Sequence, residues 1–136
     1  MQNKAGQVLV DTSVWISAFR GKSSKIVDLT RKLLDEDRIV TCGPVILELR
    51  RGLRSRDRNR VLPLFDALIR LSFDENLWDS AGDLDASLRR KGITIPPMDI
   101  LIAQVCLHHK VPLFSLDEHF RYVPGIKLFT AHEQIP

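Results

Sequence analysis

Residues 8–15, VLVDTSVW, decide how the chain is to be read. Val8, Leu9 and Val10 ask for burial, yet the run delivers Asp11 at its end and follows it at once with two hydroxyls, Thr12 and Ser13. Two readings fit the stretch by itself. In one, Thr12 or Ser13 caps a helix and Asp11 is a solvated turn residue. In the other, Asp11 stands at the carboxyl end of a central strand, where open α/β sheets place their chemistry.

The flanking sequence alternates strand and helix signals. Residues 7–11 read as a strand and 12–20 as a helix, after which SSKIVDLTRKLLDED (23–37) sets Ile26, Leu29, Leu33 and Leu34 at helical spacing behind a Ser23 or Ser24 cap. RIVT (38–41) is a second strand, and GPVILELRRGL (43–53) opens with a glycine and a proline suited to a helix's first turn. Residues 61–71 predict another helix with a brief SF exit, and residues 75–91 a further one that Gly92 ends in a left-handed cap. After the turn ITIPP, MDILIAQVCLHH (98–109) predicts an apolar helix and VPLFS (111–115) a buried strand; LDEHF (116–120) reads as a helical turn and GIKLFT (125–130) as a last strand. Strands separated by helices pair in parallel through crossovers. The expected fold is therefore a three-layer α/β/α sandwich around a central, mainly parallel sheet. A dinucleotide-binding fold would need a glycine-rich first turn and a P-loop would need GxxxxGK[ST]; the chain has neither.

At 136 residues the chain is expected to be one domain, 1–136, and 44% hydrophobic with 27% charged residues excludes a disordered or fibrous protein. MQNKAGQ lacks the apolar stretch of a signal peptide, and no run of about 18 apolar residues exists to span a membrane, so a cytoplasmic protein is expected. Cys42 and Cys106 lie in apolar surroundings without metal-ligand spacing and read as small buried hydrophobes. The net charge of +3 and pI near 9.1 are mild. Their distribution is not: RRGLRSRDRNR (50–60) holds six arginines against one acid, Asp57. Such a run can be a solvated helix surface. The choice of planar, bidentate arginine throughout favours a phosphate-bearing partner.

In a parallel sheet the carboxyl ends of the strands share one edge with the helix starts that follow, so acids at those places converge. Asp11 ends the first strand, Asp117 follows PLFS, and Asp99 opens the apolar helix. Glu48 is a stranger case, flanked in VILELRRG by Val45, Ile46, Leu47 and Leu49, because a buried carboxylate needs a partner. Each acid has an innocent alternative: Asp99 and Asp117 as helix caps, Glu48 in solvent or paired with Arg51 or Arg54. Together, four acids would raise one another's pKa values unless a cation neutralised them. Oxygen-only ligands point to Mg²⁺ or Mn²⁺ over zinc.

DTSVWI, VILELRRG, MDILIAQVC after a KG turn, and LFSLDEHF together resemble, in order and spacing, the PIN-domain ribonucleases, specifically VapC-type toxins of toxin–antitoxin pairs. The resemblance runs from about Val8 to Thr130 and rests on the combination, since no single motif is specific. It implies that Asp11, Glu48, Asp99 and Asp117 form an acidic quartet that binds metal and catalyses hydrolysis of RNA phosphodiester bonds, with Ser13 supporting a metal-ligating aspartate by hydrogen bonding. It also implies a homodimer restrained by a small VapB-like antitoxin. Arg50, Arg51, Arg54, Arg56 and Arg58 are then the expected RNA-backbone contacts.

The sequence departs from the family pattern in two places. Met98 intervenes between Pro97 and Asp99, and His119 stands where the family commonly has a second aspartate, with Glu118 a partial substitute. The His119 departure leaves a non-catalytic RNA-binding or regulatory domain of the same fold as the alternative. A haloacid-dehalogenase-type phosphatase would need a second acid at the position of Ser13. Adjacent His108 and His109 cannot form an i, i+4 metal pair and read as helix-end residues. His119 is the histidine near the proposed site; His132 lies in the polar tail, and Trp15 and Trp78 are expected in the core.

Overall fold

In a computed structural model, which describes residues 6–129, four parallel strands lie in the order β3-β2-β1-β4. They are β1 (Val8–Val10), β2 (Ile39–Cys42), β3 (Ile69–Leu71) and β4 (Leu113–Phe114). The two interior strands are wholly buried, which is why their sequences are continuous apolar runs without alternation. Val8 pairs with Ile39 and Leu9 with Val40 on one side of β1, and Leu9 pairs with Leu113 on the other. Each parallel step needs a helical crossover: α1 (Thr12–Arg20) and α2 (Ser24–Asp35) before β2, α3 (Gly43–Gly52) and α4 (Ser55–Asp66) before β3, α5 (Leu77–Arg90) and α6 (Pro97–His109) before β4. Right-handed crossovers that reverse direction after β3 put helices on both faces, giving the expected three-layer sandwich. Among the described residues, no helix is long and apolar enough to cross a membrane.

Local chemistry explains most boundaries. Ser23 accepts the Ile26 amide at 3.3 Å and starts α2. Pro44 fits the first turn of α3. Gly92, at φ +79, takes the left-handed conformation after α5. The core gathers both faces of β1 and β2 with Trp15, Leu49, Phe65, Ile102 and Phe120.

Several expectations need correction. Neither Thr12 nor Ser13 caps α1; Asp11 occupies that position and the hydroxyls are used elsewhere. The helix expected over 61–71 begins earlier, at Ser55, and ends at Asp66, and Ile69–Leu71 is the edge strand β3. The last strand expected over 125–130 reduces, within the described residues, to one parallel bridge between Leu113 and Leu128. Trp15 is buried against Phe19 and Phe65, but Trp78 is 52% exposed and leans on Phe73. Both cysteines are buried, and burial pushes the Cys42 thiol up to about 12, so it stays protonated and inert. His108 and His109 do end α6, where His109 Nε2 meets the Ser72 carbonyl at 2.8 Å. Thr130 and His132 lie outside the described residues.

Candidate functional site

The strand order reverses between β1 and β4, which opens a crevice beyond their carboxyl ends. Asp11 leaves β1 at this point, its backbone N–H still bonded to the Phe114 carbonyl at 2.9 Å. Its side chain is buried and held by two hydroxyls. Ser13 Oγ donates to Asp11 Oδ2 at 2.8 Å and Ser115 Oγ donates to the same oxygen at 2.7 Å. Each hydroxyl in turn accepts a backbone N–H, Ser13 from Leu116 and Ser115 from Asp117, both at 3.0 Å. Asp11 is thereby fixed through Oδ2, and among the described residues no donor reaches Oδ1.

Glu48 projects from α3 and accepts a hydrogen bond from Thr12 Oγ1 at 2.8 Å. This contact, rather than Arg51, Arg54 or open solvent, orients the carboxylate. Asp99 stands in the first turn of α6, where the positive end of the helix dipole favours an anion. One carboxylate oxygen from each of Asp11, Glu48 and Asp99 lies within 4.8 Å of the others. Asp117, which is exposed, does not join that trio at this distance; it meets Asp99 and His119 in a second trio within the same limit. The structure thus brings the four expected acids to one edge in two overlapping groups that share Asp99.

Electrostatics show the strain of that crowding. Burial, and then the charge on Asp11, raise Asp99 from 3.8 to about 6, while His119 partly opposes the shift. Partial burial and Asp11 likewise push Asp117 up. A divalent cation fits this donor set: it would relieve the repulsion, and carboxylate oxygens are its preferred ligands.

Ser115 escaped the sequence reading, although it stands at the end of the strand beside β1, at the same edge as Asp11. His119, which the sequence places near the site, has its Nε2 2.9 Å from Asp99 Oδ2, whereas the side chain of Glu118, 81% exposed, pairs with Arg121.

The arginine run does not act as one patch. Arg54 and Arg56 line an open groove of about 290 Å³, joined there by Arg20 and Arg60, with Leu49 and Leu53 as apolar lining; Glu48 borders both this groove and the acidic cluster. Arg50 and Arg51 are exposed at the end of α3 without lining the groove. Arg58 Nη1 donates to the Arg50 carbonyl at 2.6 Å, where a cation suits the negative end of α3.

Similar proteins place this geometry in a family. "Ribonuclease VapC11" of Mycobacterium tuberculosis is 29% identical over 124 residues, covering 88% of this chain and 92% of that protein. "Ribonuclease VapC21" from the same species is 28% identical over 116 residues, covering 81% and 83%. Among solved structures, DNA-bound VapBC from Salmonella typhimurium superposes with a TM-score of 0.79 at 23% identity, over 92% of this chain and 98% of that one. VapBC2 from Rickettsia felis, bound to a promoter DNA fragment, gives 0.75 at 21%, over 90% and 96%. At these identities the structural likeness speaks for the fold. The family model for the PIN domain matches residues 8–126, and with nearly the whole described fold inside that match, the chain belongs to the PIN domain family.

Proposed function

We propose that residues 1–136 form a single divalent-metal-dependent endoribonuclease domain, the VapC-like toxin of a toxin–antitoxin pair. The observation that carries the reading is the meeting of Asp11, Glu48 and Asp99 at the sheet's switch point, with Asp117 adjoining through Asp99. The likeness to the ribonucleases VapC11 and VapC21 supports the activity.

Asp11 and Asp99 would hold Mg²⁺ or Mn²⁺, with Glu48 and Asp117 completing the cage or orienting water by hydrogen bonds. When bound, the ion activates water and stabilises charge on the phosphoryl oxygens. The protein's own part is to keep Asp11 aimed through Ser13 and Ser115 and Glu48 aimed through Thr12. Each serine hydroxyl donates to Asp11 and accepts a backbone amide, and metal-assisted attack by water requires no side-chain nucleophile. Arg54 and Arg56, beside Glu48 in the groove, are placed to take flanking RNA phosphates, with Arg50 and Arg51 at the adjoining helix end. A small VapB-like antitoxin and a homodimer complete the reading.

Cleavage of RNA by the purified chain in Mg²⁺ or Mn²⁺, its loss in chelator and its loss in Asp11→Asn test the assignment. Wild-type cleavage by Asp11→Asn would sink it, and RNA binding without cleavage in either metal would identify the non-catalytic alternative. Growth arrest on expressing the chain alone, relieved by the neighbouring gene product, tests the toxin assignment; normal growth at confirmed expression would overturn it.

A further inference from the structure

The second trio differs from the first in carrying a nitrogen. His119 sits at the start of the 3-10 turn Glu118–Tyr122, its ring 4.7 Å from that of Phe120, which is fully buried and anchors the turn. This turns Nε2 inward. The atom is shielded from solvent and finds no hydrogen-bond partner among the described residues, even though Asp99 Oδ2 is only 2.9 Å away. That 2.9 Å separation is the distance of an ion pair when the imidazole is protonated, although the alignment of an N–H···O hydrogen bond is absent. It also matches shared ligation: donors about 2.1 Å from an octahedral ion and at right angles to each other stand about 3.0 Å apart.

We propose that His119 Nε2, with one carboxylate oxygen each from Asp99 and Asp117, forms a second cation position that shares Asp99 with the Asp11–Glu48–Asp99 position and prefers Mn²⁺ to Mg²⁺. The inference rests on the metal-dependent reading above and adds an ion preference to it. Mg²⁺ favours an all-oxygen octahedron, and an imidazole in the set shifts preference toward first-row transition ions. Because Nε2 faces Asp99 and is shielded from solvent, it is placed as an ion ligand rather than as a contact to RNA phosphate.

The test is Mn²⁺ titration of the purified chain, followed by electron spin-echo measurement of nitrogen coupling to bound Mn²⁺. Wild type is expected to bind two ions and to show ¹⁴N modulation from a directly ligated imidazole. In His119→Ala the modulation disappears and the affinity of one ion falls at least about tenfold. His119→Asp, which keeps a charged ligand, restores that ion but lowers the Mn²⁺-over-Mg²⁺ preference about tenfold. Circular dichroism establishes that both variants fold. Bound Mn²⁺ that depends on Asp11 but carries no ¹⁴N modulation overturns the His119 assignment and leaves the nuclease reading intact. Modulation that survives in His119→Ala overturns it too, since another histidine is then the source. Absence of any Mn²⁺ binding overturns both.

Discussion

Replacing Asp99 by asparagine should make the metal-free protein more stable. The Asp99 carboxyl titrates near 6 in the fold against 3.8 for the free group, so between those values the folded state holds more protons than the unfolded chain. Stability then falls as pH rises through that window, and at neutral pH the ionised, nearly buried carboxylate costs about 3 kcal/mol. Asparagine removes that cost but forfeits the anion's favourable place in the first turn of α6, about 0.3–1 kcal/mol. The cost of holding the charge in a buried place beside Asp11 is the larger effect. A net gain of about 2 kcal/mol remains, or about 7 °C in Tm for a chain of this length. Thermal and urea unfolding in chelator at pH 7.5 and pH 4.5 read the result: a clear advantage for Asp99→Asn at the higher pH, shrinking nearly to nothing at the lower one, where wild-type Asp99 is largely protonated. A saturating divalent ion should reverse the order, because a ligand at a hundred times its Kd adds about 2.7 kcal/mol to the protein that binds it. If Asp99→Asn is no more stable than wild type at pH 7.5 in chelator, the acids are not in conflict and the electrostatic case for a cation collapses.

Ser115→Ala should cost about 2 kcal/mol of stability and weaken metal binding roughly tenfold or more, since a buried carboxylate loses a donor; unchanged metal affinity would demote Ser115 to packing. Arg54→Gln with Arg56→Gln should reduce the slope of log affinity against log salt for RNA by about 1.5, and an unchanged slope would remove the groove from the RNA path. Arg58→Ala should instead lower stability by about 1 kcal/mol by freeing the Arg50 carbonyl at the end of α3, as urea unfolding would report. Trp15→Ala should cost about 3–5 kcal/mol and Trp78→Ala under about 1, the opposite of two equal core residues.

The acidic edge was legible because strand ends in a parallel sheet converge whatever their sequence separation, and Asp11, Asp99 and Asp117 each follow a strand or open a helix. The fold class followed from the same alternation. What stayed hidden has local causes. In β3 only Leu71 is buried, so a three-residue edge strand carries no burial signature, and the apolar spacing from Val61 continued through it as if helical. The first turn of α4 is built of Ser55, Arg56, Asp57 and Arg58, which present no apolar stripe to announce a helix. Trp78 follows Leu77 directly and so points about 100° away from the stripe of Leu77, Ala81 and Leu88; that offset was readable. His119 was not: its direction depends on how Phe120 is buried, a tertiary fact.

The bond between Ser115 and Asp11 spans 104 residues, and β1, interior in the finished sheet, gains its second neighbour only when Leu113 and Phe114 arrive. During synthesis at about 5–20 residues per second, the chain passes several seconds with β1 as an open edge and Asp11 lacking one of its two hydroxyl donors. A nascent or truncated chain that stops before residue 113 therefore cannot complete the site, and it presents an unpaired strand edge of the kind that invites aggregation. The order of translation itself keeps the acidic edge incomplete until Asp117 has emerged.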